Sequence, residues 1–145
     1  MTLFTRILSA CAILIALTLG AQAKTIKIAY DADPVSLDPH EQLSGGTLQL
    51  SHMAYDPLVR WTQEFDFEPR LAESWEQTSP TTTRFRLRSG VKFHSGNTLT
   101  SADVKWTFNR LKESPDFKGI FNLFTDVVIV DDLTFDLVTS EPYPL

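Results

Sequence analysis

Between Thr82 and Leu87 the chain alternates strictly. Phe85 and Leu87 face one way, Arg84 and Arg86 the other, and Arg88 extends the charged row. A period of two with one apolar and one cationic face marks a strand buried on one side, which belongs in an antiparallel sheet. The pattern predicts a mixed α/β fold with antiparallel strands dominating after residue 56. Ser89-Gly90 and Ser95-Gly96-Asn97 read as turns. Val91 and Phe93 continue the inward row, with Lys92 and His94 outward, and Trp75, Phe85, Phe93 and Phe108 are expected in the core. Val127–Val130 and Leu133–Val138 flank Asp131-Asp132 as a hairpin.

Helix boundaries are written in capping residues. Thr100-Ser101-Ala102-Asp103 is a capping box, Thr100 being the N-cap and Asp103 the third helical residue. The helix it opens runs to about Glu113, with Val104, Phe108 and Leu111 on one side, Trp106 adjacent and Ser114-Pro115 as its stop. An earlier helix is expected from Thr47 as N-cap, with Leu48, His52 and Tyr55 on one face. It ends before Asp56-Pro57, since Pro57 disfavours helical geometry at Asp56. Leu58–Trp61 reads as a short strand, and Pro69 followed by Leu71–Trp75 as one or two helical turns with Pro69 at their start. Lys24–Tyr30 alternates like a strand and leads into a long irregular stretch through Gly46, the kind of place where binding loops sit.

Residues 1–23 read as a signal peptide. Arg6 precedes thirteen uncharged residues, Ile7–Leu19, too few to span a bilayer core of about 30 Å, and Ala21-Gln22-Ala23 is a small-x-small cleavage site. Cleavage after Ala23 and a periplasmic location are expected. The whole chain carries 18 acidic and 13 basic residues; Arg6 is the one charge in the leader, so the remainder is one unit more acidic than the chain's −5. That balance argues against nucleic acid as a partner, because phosphate backbones need a positive field. The single cysteine, Cys11, lies in the leader, so the remainder has no disulfide and must fold on core packing.

No catalytic constellation stands out. His40, His52 and His94 lack zinc-site spacing, and Gly45-Gly46 has no Lys-Ser or Lys-Thr behind it to make a phosphate loop. There is no Gly-x-Ser-x-Gly elbow. Asp31, Asp33 and Asp38 lack the regular spacing of a calcium loop and read as turn-formers bonding nearby backbone N–H groups. The Arg84, Arg86 and Arg88 stripe reads as a solvated strand face. No catalytic residue, metal ligand or cofactor is assigned.

Longer signatures carry a resemblance. They are Leu71-Ala72-Glu73-Ser74-Trp75-Glu76, the run Thr83 to Gly96, and Leu99-Thr100-Ser101-Ala102-Asp103-Val104, with Pro34–His40 and Tyr55–Val59 upstream. Together with Asp132–Phe135 and Pro142 they resemble extracellular solute-binding family 5, the periplasmic peptide-, dipeptide- and nickel-binding proteins of ABC importers. The resemblance implies the N-terminal part of a two-lobed, type II-like periplasmic binding protein with an extra family-specific subdomain, incomplete here. Residues 24–52 would open lobe one, and 53–145 would begin the inserted subdomain and stop inside it. It implies capture of a small solute, peptide-like before metal complex, for permease subunits in the inner membrane, without enzymatic turnover. Alternatives are a structural or chaperone-like interaction protein on the same scaffold, or a non-functional remnant. Matched by distance from the Leu-Asp-Pro-His run, the residues implied at the solute are Leu43, Ser44, Gly45 and Gly46. Peptide-binding members can carry an acid where Leu43 stands, which counts against the oligopeptide type.

Overall fold

A computed structural model of the chain describes residues 33–143, together with Thr25, Lys27 and Ala29. The expected leader 1–23 lies outside the described residues, as does most of the expected strand Lys24–Tyr30. The elements below belong to one compact unit, Ala32–Leu145. In chain order they are α1 (Gly45–Ala54), β1 (Val59–Trp61), β2 (Phe67–Pro69), β3 (Ala72–Ser79), β4 (Thr82–Leu87), α2 (Ser101–Glu113), α3 (Lys118–Phe121), β5 (Phe124–Ile129) and β6 (Thr134–Thr139). β1 and β2 form a two-stranded antiparallel sheet, and the other strands form a four-stranded antiparallel sheet in the order β3-β4-β6-β5.

The alternation in β4 does what its period requires. Thr83, Phe85 and Leu87 are buried, and β6 answers with Phe135 and Leu137 beneath them. Phe85 stacks on Phe135 with ring centroids 5.3 Å apart. Ala72, Val127, Leu99 and Val104 complete the buried cluster, with α2 presenting Val104 to the sheet. Each fully buried Phe or Leu here contributes about 1.5–3 kcal/mol. The outward row is laced across strands rather than simply solvated. Arg84 donates to both oxygens of Asp136, its register partner, at 2.7 and 2.8 Å, and Arg86 pairs with Glu73 at 3.1 Å.

The capping box forms. Asp103 accepts from the Thr100 N–H at 2.8 Å and from its hydroxyl at 2.9 Å, and α2 ends at Ser114. Gly90 (φ 74°) and Gly96 (φ 90°) occupy the left-handed region at the expected turns. The expected hairpin is the β5–β6 pair, reversed through Asp131, whose carboxylate accepts from the Leu133 N–H.

Three local expectations are corrected. Residues 71–75 are not helical: Ala72–Ser79 is β3, paired along β4 in a register that sets Trp75 against Phe85 and Glu76 against Arg84. Pro69 closes β2 instead of opening a helix. Cross-strand pairing outweighed the local helix signal because Pro80-Thr81 folds the chain back at once onto the arginine strand. The first helix begins at Gly45, with Ser44 rather than Thr47 as N-cap. Phe93 is 44% exposed and is not core. Gly90 takes the chain out of the sheet, and a separate turn forms in which Phe93 donates to Asn97 and Gly96 donates back to Phe93. Trp75 and Phe108 are half-buried against the cluster, and Phe108 meets Phe124 edge-on at 5.7 Å.

Candidate functional site

The loop ahead of α1 is built first from local bonds. Asp38 accepts from the His40 N–H at 2.9 Å, the turn-forming role expected of it. Ser36 accepts from the Asp38 N–H at 3.0 Å and donates to the Glu41 carboxylate at 2.6 Å. Helix α2 then grips this loop from the far side of the sequence. Arg110 donates through Nη1 to Asp38 Oδ1 at 2.8 Å and through Nη2 to Oδ2, a bidentate pair spanning 72 positions. Its Nη1 also lies 3.2 Å from His40 Nδ1. A guanidinium only donates, so Nδ1 accepts and the imidazole proton sits on Nε2. The Arg110 guanidinium lies 5.7 Å from the Trp106 ring centre, one helical turn back. Ser114 donates to the His40 carbonyl at 2.6 Å, and Asp116 accepts from the Leu43 N–H at 3.2 Å.

These contacts shift the ionisable groups. The Arg110 bonds, with help from the His40 N–H, hold the Asp38 carboxyl at about 2. Burial pushes His40 below its ordinary value, and the Arg110 charge adds to that. The ion pair is therefore present throughout the neutral range.

The four residues expected at a solute lie together at the start of α1. Ser44 is the N-cap: its hydroxyl accepts from the Thr47 N–H at 3.3 Å and donates to Thr47 Oγ1 at 3.1 Å. Thr47 in turn donates to Gln42 Oε1 at 2.7 Å. Gly45 and Gly46 form the first turn, and among the described residues their amides have no hydrogen-bond partner. A Cβ added at Gly45 meets nothing within 4 Å, so the space beside it is open. The side chain of Leu43 is exposed. First-turn amides carry the positive end of the helix dipole and suit a carboxylate or carbonyl oxygen.

Beside this loop, between α1 and α2, runs a cavity of about 760 Å³ lined mainly by apolar groups, among them Leu48, Tyr55, Phe93 and Trp106. The predicted face Leu48–His52–Tyr55 does line it. Among the described residues no group of three or more His, Cys, Asp or Glu is placed to hold a metal ion. The sequence reading missed Arg110, Ser114 and Asp116. No local pattern marks them, because their partners lie about seventy positions away; the nearest signal was Trp106 four residues before an arginine.

Residues 66–145 match the family model for bacterial extracellular solute-binding proteins, family 5 Middle, which is more than half of the chain. Di/tripeptide-binding protein 2 of Pseudomonas aeruginosa (strain UCBPP-PA14) is 35% identical over 100 residues, covering 63% of this chain and 19% of the relative. The HTH-type transcriptional regulator SgrR of Shigella flexneri serotype 5b (strain 8401) is 28% identical over 118 residues, 81% of this chain and 21% of the regulator. The binding protein AgaA of A. tumefaciens R10, solved with agropinic acid, superposes with a TM-score of 0.68 at 29% identity, over 76% of this chain and 23% of that one. The chain thus spans about a fifth of the length of the curated relatives it matches. With a family match over the whole four-stranded sheet and α2, and the same fold in AgaA, the chain belongs to the bacterial extracellular solute-binding proteins of family 5.

Proposed function

We propose that the whole protein captures a small solute in the periplasm and hands it to permease subunits of an ABC importer in the inner membrane, and that the solute is a peptide or peptide-like compound. In this reading residues 24–52 open the first lobe and 53–145 begin the inserted subdomain. The carrying observation is the start of α1. The Gly45 and Gly46 amides form the first turn, the space beside Gly45 is open, and the loop before them is tied down by Asp38–Arg110 and Leu43–Asp116. Amides at a helix start favour a solute carboxylate or carbonyl, Ser44 caps the turn that presents them, and exposed Leu43 suits an apolar side group. The dipeptide- and tripeptide-binding relative supports a peptide, and the agropinic acid complex of AgaA supports a small organic acid. Nickel bound directly favours imidazole or thiolate donors, which residues 42–46 do not offer.

The test is calorimetric titration of the whole protein with a dipeptide and tripeptide library, and separately with nickel and its chelates. Micromolar peptide binding is expected. Micromolar binding of a nickel complex with no heat from any peptide overturns the proposal.

A further inference from the structure

The loop that carries Leu43–Gly46 is not held by its neighbours in sequence alone. Its fixed points come from the last turn of α2 and the residues just beyond it: Arg110 on Asp38 and His40, Ser114 on the His40 carbonyl, Asp116 on the Leu43 amide. Of these, Arg110 makes the most demanding contact. It engages both oxygens of Asp38 and the Nδ1 of His40, with its guanidinium beside the Trp106 ring. Only a planar fork satisfies these directions together. A lysine ammonium is a point charge on a flexible stem and cannot hold the carboxylate and the imidazole in that relation.

We infer that Arg110 is a positioning residue for solute capture: it sets the loop 38–46, and with it the Gly45 and Gly46 amides, without touching the solute. The inference rests on the function proposed above for residues 43–46. It follows that solute affinity is written partly in helix α2, outside the expected contact residues 43–46. Keeping the charge while losing the fork is not enough, so Arg110→Lys behaves like Arg110→Gln.

The experiment uses the whole protein with the tightest-binding dipeptide or tripeptide from the library. Arg110→Gln and Arg110→Lys are each expected to weaken binding about tenfold, the size of a typical coupling between contacting groups. The loss appears as faster dissociation with association little changed. In amide NMR spectra the Gly45 and Gly46 signals move in both variants, while those of β4 and β6 stay in place. Affinity within twofold of the parent in both variants overturns the inference. So does a full rescue by lysine, which reduces Arg110 to its charge. Movement of the β4 and β6 amides along with the glycines also overturns it, because Arg110 is then a general structural support. If the unsubstituted protein binds no peptide, the peptide reading fails, and the inference stands or falls on whether the Gly45 and Gly46 amides move alone.

Discussion

Replacing Phe135 with alanine tests where the core lies. Phe135 is fully buried in β6, pairs in register with Phe85 of β4 and Ile129 of β5, and stacks on the Phe85 ring at 5.3 Å. The lost transfer free energy is about 1.5–3 kcal/mol, and the unfilled cavity brings the total for a buried Phe→Ala change to about 3–5 kcal/mol. Lost stacking on Phe85, about 0.5–1.5 kcal/mol, falls within that range. Phe93 is the control. It belongs to the same signature run, yet it is 44% exposed and borders an open groove, so its truncation removes about half the transfer term and leaves no closed cavity. Its expected cost is about 1 kcal/mol. The assay is denaturant unfolding followed by far-ultraviolet circular dichroism, with the midpoint shifting and the slope unchanged. Equal losses for Phe135→Ala and Phe93→Ala would refute the assignment of Phe135 to the core and Phe93 to the groove.

Other expectations are narrower. Asp103→Ala removes the acceptor for both the Thr100 N–H and hydroxyl, and should cost about 1 kcal/mol with some loss of helical signal; no change in midpoint contradicts the capping role. Gly90→Ala meets no neighbour within 4 Å but must hold φ at 74°, so the cost is backbone strain of about 1–2 kcal/mol; a neutral or stabilising result contradicts this. The Asp38 carboxyl is lowered from 3.8 to about 2 in the fold, so the unfolded chain binds more protons between those values. Its stabilisation is present above about 3.8 and is lost as pH falls toward 2; this component of acid unfolding should vanish in Arg110→Gln, and an unchanged acid profile argues against the clamp. His40 is lowered too, so its neutral form stabilises the fold, and that contribution declines as pH drops below 6.5 toward the folded value. His40→Asn should flatten stability over that range in a pH series of thermal melts.

Much of the architecture was legible in order along the chain. The alternation of β4, the Thr100–Asp103 cap, the stops at Asp56-Pro57 and Ser114-Pro115, and the glycine turns at 90 and 96 are decided by bonds and sterics within a few residues. A linear reading sees such causes directly. The segment 43–46 reads as a loop in the sequence, whereas Gly45-Gly46 is the first turn of a helix capped by Ser44. Tertiary structure decided the rest. Residues 72–79 became a strand because they pair along β4, burying Ala72 and setting Trp75 against Phe85, contacts that the isolated segment cannot make. Phe93 left the core because a left-handed glycine three residues earlier turned the chain away from the sheet. The grip of Arg110 on Asp38 and His40 depends on α2 packing beside the opening loop, 72 positions from the carboxylate it holds; neither residue's neighbours specify the other, so only the folded chain brings the pair together.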